Sequence, residues 1–290
     1  MIKKAIILCG GTGSRMYPTT LAINKQLIPV YDKPMFFYPL SLLMLCGIKE
    51  YLFIINPGQK EKFQDLLEPT NDLGIKIEYI EQSKPNGLPE AFILGENFIG
   101  NDSVALILGD NFLYGNMLTP LIKKSFNLTN GANIYLYPNK NTSAYGVVEL
   151  GKDNKIKKIV EKPKYTKSNL VIVGLYTFDK DVSKYAKTLK PSKRKELEMV
   201  DLINIYKKKE TLNLIKLGRG AAWLDVGNFD DLHSVSNFVK NIEDRQSYKI
   251  GCLEEISLNN GWIIKKNIQN RIKKYKNSIY SKYLNTIIRG

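Results

Sequence analysis

Through roughly the first hundred residues, short runs of consecutive apolar residues alternate with stretches whose apolar positions recur every three or four. Residues 5–9 (AIILC), 51–56 (YLFIIN), 75–81 (IKIEYIE) and 103–108 (SVALIL) read as strands. The near-continuous apolar runs among them, 5–9, 51–56 and 103–108, suit strands that are covered by helices. Between them residues 34–45, 59–67 and 88–97 carry helical spacing, the first with Pro34 near its start, where a missing amide is harmless. Strand and helix in alternation predict a doubly wound α/β sheet, mostly parallel. Beyond Asp110 the strand signals crowd together at 135–138 (YLYP), 145–150 (YGVVEL), 156–163 (IKKIVEKP) and 170–179 (LVIVGLYTFD), which predicts antiparallel or mixed pairing. A helix is expected over 196–207, then a strand LNLIKL and the segment AAWLDVG at 221–227. In the tail, Ile264, Ile268, Ile272, Tyr275, Ile279, Tyr283 and Ile287 fall on one face of a single helix. The expected organisation is one α/β body over residues 1–240 and a helical C-terminal segment, 241–290, that packs on the body or on another subunit.

Composition narrows the class. A chain of 290 residues with 43 % apolar content can bury a full core. No apolar run approaches the roughly 18–20 residues of a membrane span, and the longest, 35–46, is interrupted by tyrosine, proline and serine. The opening MIKKAIILCGG has too short an apolar stretch for a secretory leader and reads as a buried strand. Cys9, Cys46 and Cys252 are widely spaced and odd in number, which fits reduced thiols in a cytoplasm. With His233 as the sole histidine, a zinc site is unsupported. The net charge of +15 is spread over 155–167, 184–195, 207–209 and 265–276, as on solvated faces of successive elements, rather than gathered into a nucleic-acid-binding block.

The chemistry-bearing residues sit at strand ends. Gly10, Gly11, Thr12, Gly13, Ser14 and Arg15 follow the first strand, and such a loop lets backbone amides approach phosphate oxygens. It lacks the GK[ST] of a Walker loop, and Arg15 stands where a dinucleotide fold has its last glycine. The second strand ends at Asn56, without the acid that holds a ribose hydroxyl in a dehydrogenase. The glycines alone are equally compatible with a plain strand-to-helix turn. Arg15 and Lys25 add two cations with no evident structural task. Asp110 and Asp225 each close an apolar strand, and two carboxylates brought together at a sheet edge would suit Mg²⁺. Each alone reads as readily as a cap or turn former.

Taken together, GGTGSRMYPTT, KQLIPVYDKPMFFYPLSLLMLCGI, LGDN, YGVVE, EKP, VGLYTFD and WLDVG closely resemble the glucose-1-phosphate thymidylyltransferases of the sugar-phosphate nucleotidyltransferase family, in their order and separations. The resemblance implies a Rossmann-like sheet whose first half binds nucleotide and whose inserted lobe binds sugar phosphate. It implies that Gly10, Gly11, Thr12, Gly13, Arg15, Lys25 and Gln26 hold dTTP, that Gln82 and Gly87 read the base, and that Asp110 and Asp225 hold Mg²⁺. Asn111, Tyr145, Gly146, Glu161, Lys162, Val173 and Arg194 would line a glucose 1-phosphate pocket, with Arg15, Lys25 and Lys162 as the catalytic countercharges. The implied product is dTDP-glucose, a first step toward dTDP-sugars such as dTDP-rhamnose. A homotetramer with an inhibitory nucleotide-sugar site at subunit contacts is implied as well. The chain departs from the family pattern at Asn24 for serine, Asn86 for aspartate, Pro89 and Glu90 for an Ala-Gln pair, and Lys195 for glycine. The attacking phosphate is already ionised at neutral pH, its second pKa being about 6, so no general base is required and His233 is assigned none.

Overall fold

The computed structural model describes residues 1–67 and 72–289. Along the chain the strands are β1 (Lys4–Cys9), the two-residue pair β2 (Pro29–Val30) and β3 (Lys33–Pro34), β4 (Glu50–Ile55), β5 (Lys76–Glu81), β6 (Val104–Leu108) and β7 (Asn111–Tyr114). They continue with β8 (Ala132–Pro138), β9 (Gly146–Leu150), β10 (Ile156–Glu161), β11 (Leu170–Phe178), β12 (Leu212–Lys216) and β13 (Ala222–Asp225). The strands β5, β4, β1 and β6 lie side by side and parallel, as the apolar runs predict. β11 then pairs antiparallel with β6 on one side and β8 on the other, through Tyr176 opposite both Leu106 and Ile134. β12 extends this edge parallel to β8. The start of β11 outruns β6 and pairs instead with β9 through Val171 and Val147, and β9 carries β10. A lobe therefore branches from the sheet where β6 ends, leaving a gap at the carboxyl ends of the parallel strands.

Both faces of the sheet are covered, which explains the unbroken apolar runs. Ala5, Ile7 and Cys9 share one core with the helix Phe37–Leu45, while Ile6 shares the other with Phe92 and Phe178. The expected helix 34–45 starts later: Pro34 belongs to β3, and Pro39 is the proline of the first helical turn, where amides have no intrahelical acceptor. The expected 88–97 helix divides into Glu90–Leu94 and Glu96–Ile99 at Gly95. A Cβ on Gly95 would stand 2.9 Å from Leu52 Cδ2, so glycine lets the helix backbone approach the sheet. The 196–207 helix begins at Met199, leaving Glu196 and Glu198 in the preceding loop.

The tail is not one helix. It forms Lys265–Tyr275 and Ile279–Arg289, broken at Lys276, whose φ of 49° lies in the left-handed region. Ile264 and Ile279 are 65 % and 79 % exposed, off the buried face that their spacing assigns them. The tail docks on the body: Arg271 donates to the Leu67 carbonyl and Asn260 to that of Met44. The 18-residue helix Phe229–Gln246, unread in the sequence, runs through position 240. No helix among the described residues is long and apolar enough to cross a membrane.

Candidate functional site

The gap at the strand ends is a cleft of about 760 Å³, continuous in its lining with a smaller cavity of about 260 Å³ through Gly10, Arg15, Gln26 and Asp110. Gly11, Gln82, Gly87, Asn111, Tyr145, Gly146, Glu161, Lys162, Arg194 and Asp225 line the larger space, and Thr12, Gly13 and Lys25 the smaller. Of the residues singled out in the sequence, Val173 alone turns away. Its side chain is in the core, and its neighbours Ile172 and Gly174 reach the cleft instead.

The glycine loop is held open by Asn56. Its side chain accepts from the Gly11 amide at 2.9 Å and donates to the Gly11 carbonyl at 2.8 Å, while Gly11 sits at a φ of 105° with open space where a Cβ would stand. The end of β4 thus carries an amide that clamps the loop, a role that its lack of an acid does not announce. Asn24 fixes the next turn, donating to the Cys9 carbonyl and accepting from the Gln26 amide. That turn places Lys25, only 8 % exposed, 2.6 Å from Asp110, so this lysine does have a structural task. Gln26 Oε1 is buried without a hydrogen-bond partner among the described residues, in the wall shared by both cavities. A buried acceptor left open costs about 1–3 kcal/mol, and a ligand donor would relieve that cost.

The two carboxylates meet because β7 and β13 pair, setting Asp225 opposite Asn111, next to Asp110. Asn111 is 1 % exposed and fully employed. Its Nδ2 donates to Asp110 at 3.0 Å and to Asp225 at 3.3 Å, and its Oδ1 accepts from the Gly174 amide at 3.0 Å and from Trp223 Nε1 at 2.7 Å. The register of β11 slips between Ile172 and Tyr176 to admit this amide, and a Cβ on Gly174 would stand 2.6 Å from Asn111 Oδ1. Burial, followed by the neighbouring Asp110 charge, pushes the Asp225 carboxyl up to about 7, with Lys25 and Arg15 only partly offsetting it. Arg15 reaches this corner from the loop: a Cβ on Gly227 would meet its Nη1 at 2.9 Å. Asp231, which accepts from the Gly227 amide at 3.2 Å, is a further acid that the sequence reading missed.

On the opposite wall Arg194 is parked. Its guanidinium forks onto Glu198 at 3.1 and 2.5 Å and stands 3.5 Å from Glu161. Burial raises the Glu161 carboxyl; Lys162, 4.0 Å away, pulls against it. Burial and the Asp225 charge raise the Tyr145 hydroxyl. Lys195, where the family usually has glycine, adopts a φ of 61° and makes the bend that glycine makes most readily.

Among the described residues no group of three or more acids, cysteines or histidines is arranged to hold a metal ion by itself. Asp110, paired with Lys25, and Asp225, without an ion-pair partner among the described residues, offer two adjacent carboxylates, and a hard divalent cation would need water and ligand oxygens to complete its shell.

Comparison with known proteins places the chain among its relatives. Glucose-1-phosphate thymidylyltransferases from Neisseria gonorrhoeae and Mycobacterium tuberculosis are 46 % and 43 % identical over 281 residues, covering 97 % of this chain in both cases and 98 % and 97 % of theirs. A crystal structure from Bacillus anthracis, assigned as a glucose-1-phosphate thymidylyltransferase, superposes with a TM-score of 0.75 at 34 % identity, over 81 % of this chain and 94 % of its own. Residues 4–242, from the first strand through most of the long helix that closes the carboxylate corner, match the family of nucleotidyl transferases, and the chain belongs to that family.

Proposed function

We propose that the chain joins dTTP to α-D-glucose 1-phosphate by a single displacement. A phosphate oxygen of the sugar phosphate attacks the α-phosphorus of dTTP, and the bond to pyrophosphate breaks. The observation that carries this reading is the pair Asp110 and Asp225, bridged by Asn111 in the wall of a cleft that also holds a glycine loop and the exposed Arg15. The loop from Gly10 to Arg15, with Lys25 and Gln26, would hold the triphosphate, and Gln82 and Gly87 would meet the base. Tyr145, Gly146, Glu161, Lys162 and Arg194 would face the sugar phosphate.

Repulsion between two polyanions is the main obstacle. Unit charges about 4 Å apart interact by roughly 4 kcal/mol at an effective dielectric of 20, so each placed cation matters. Arg15 is exposed and, among the described residues, has no ion-pair partner, which leaves its charge available to departing pyrophosphate. Arg194 exchanges Glu198 for the incoming phosphate. Asp110 and Asp225 would hold Mg²⁺, which when bound supplies charge neutralisation at the phosphates. The excess of carboxylate charge at Asp225 fits such an ion.

Thymine and uracil differ by one methyl, worth about 0.8 kcal/mol when buried, so UTP is expected to serve at a few-fold disadvantage. The same reading includes a cytoplasmic homotetramer inhibited by a nucleotide sugar at subunit contacts; the buried free thiols Cys9, Cys46 and Cys252 support a reducing compartment. The test measures pyrophosphate release across dTTP, UTP and dCTP paired with glucose 1-phosphate and N-acetylglucosamine 1-phosphate, with and without EDTA. The dTTP and glucose 1-phosphate pair should be fastest and EDTA-sensitive. Tight dTTP binding without turnover of any pair would make the chain a nucleotide-binding regulator instead.

A further inference from the structure

We infer that the lysine-rich lobe beside the cleft is a steering surface, which draws anionic substrates to an entrance whose own walls carry more acid than base. Only the identity of those anions rests on the proposed reaction. Residues 152–216 hold 18 lysines and arginines against eight acids, whereas residues 1–151 hold 13 of each. Three basic runs that lie apart in the sequence thus belong to one stretch, and each leads away from the cleft. Strand β10 ends at Glu161 in the cleft wall and carries Lys157 and Lys158 farther out. The following loop brings Arg194 to the cleft between Lys193 and Lys195. The helix Met199–Lys208 lines the cleft with Met199, Val200 and Ile203 and ends in Lys207 and Lys208. Lys207 donates to the Lys157 carbonyl at 3.0 Å, and Lys209 stands 4.8 Å from the Tyr185 ring, so the outer ends meet as one surface. Of the 18 cations only Lys162, Lys187 and Arg194 contact an acid among the described residues.

Inside the cleft the balance reverses. Asp110, Glu161, Glu196, Glu198, Asp225 and Asp231 line the larger space, against Arg15, Lys162 and Arg194. Such walls repel a phosphate at short range, so capture needs attraction from farther out. A field of one sign beside a cleft raises association rates roughly 10- to 10³-fold. It fades as salt shortens the screening length from about 30 Å at 0.01 M to about 8 Å at 0.15 M. β10 is also the last strand of its arm, where lysines deter edge-to-edge pairing. That second task leaves substrate capture independent of lobe charge, which separates the two.

The test reverses four exposed lobe lysines together, Lys157→Glu, Lys158→Glu, Lys164→Glu and Lys167→Glu. A control protein reverses Lys123, Lys124, Lys265 and Lys266, equally exposed but at the amino ends of the parallel strands, where Phe126 accepts from the Ile2 amide and Trp262 closes on Gly74. Stopped-flow fluorescence of Trp223, in the cleft wall, gives the association rate of magnesium-dTTP at about 0.01 M and about 0.15 M salt. Pyrophosphate release gives kcat and kcat/KM, and Tm reports folding. At low salt the lobe variant should associate about tenfold more slowly than wild type and lose kcat/KM to match, with kcat unchanged. The gap should narrow to about twofold at the higher salt, and the control should stay within about twofold throughout. If the reversal does not fold, the same four positions as glutamine should show about a threefold loss at low salt. A lobe variant that matches the control, a loss that salt does not narrow, or a loss in kcat overturns the inference. If wild type turns over no pair, the reaction proposal fails, whereas slowed, salt-sensitive dTTP association in the lobe variant still upholds the steering surface.

Discussion

Two places in this molecule gather acids and bases, with opposite results. At the first, Lys33 and Lys249 meet Asp32 and Glu243: each lysine touches both acids, with both Glu243 contacts at 3.0 Å, and Glu243 also accepts from the Ile250 amide. Lys33 is 2 % exposed. Burial opposes the Lys249 charge, yet Asp32 and Glu243 more than offset it and hold the ammonium above its ordinary range. At the second, Asp110 is paired with Lys25, whereas Asp225 is left with burial and a like charge and is raised to about 7. The first set is closed upon itself and pins the turn between β2 and β3 to the long helix. The second is short of positive charge and opens on a cleft. Complete compensation marks a lock, and incomplete compensation marks a place prepared for a cationic or donor-bearing ligand.

The contrast can be broken from either side. Asp225→Asn should lower turnover at least ~10³-fold, while kinetics at saturating dTTP show the loss in kcat. Glu243→Gln should do the reverse: it leaves the buried Lys33 and the half-buried Lys249 sharing one acid, which costs about 3 kcal/mol in urea unfolding, with kcat/KM within a few-fold wherever the protein remains folded. Gly174→Ala forces Asn111 out of its notch and should cost about 2 kcal/mol by thermal unfolding along with a clear drop in kcat.

The pH response sharpens the same point. Folded Asp225 keeps its proton up to about 7, whereas unfolded aspartate loses it near 4, so the folded state carries the extra proton between those values. Stability therefore falls as pH rises through that window and levels off above it. In metal-free protein the Tm decline from about pH 5 to about pH 8 should be steeper in wild type than in Asp225→Asn, and magnesium should offset it at the upper end. The smallest effect is expected at the parked-arginine loop, where Lys195→Gly relieves a left-handed lysine and changes stability by about 1 kcal/mol or less.

Much of this was legible in the sequence because periodicity reports burial. Three of the four parallel strands, β1, β4 and β6, are buried along most of their length, so their apolar runs stand out within a residue or two of their observed limits. The long helix Phe229–Gln246 was silent, since in 18 residues its buried apolar positions are only Val235 and Val239. The tail broke where spacing alone predicted continuity, because Lys276 takes a backbone conformation that no spacing rule encodes. In the site, the strand-end residues Asp110 and Asp225 were readable from their position, and so was the glycine loop. Asn56, Glu198 and Asp231 were not, since each acts by holding another group: the loop backbone, Arg194 and the Gly227 amide. Partners of this kind are joined by tertiary geometry, and local pattern carries no trace of it. Lys25 shows the converse, a cation singled out as free that the fold pairs with the acid beside which it is expected to act.

The central claim, that the paired carboxylates hold a divalent cation on which transfer depends, is tested most directly by pyrophosphate release from dTTP and glucose 1-phosphate by Asp110→Asn beside wild type, each with magnesium and with EDTA. Release by wild type that EDTA abolishes, and its absence from a folded Asp110→Asn protein under both conditions, is the predicted result. Near-normal, magnesium-dependent release by Asp110→Asn would contradict the claim.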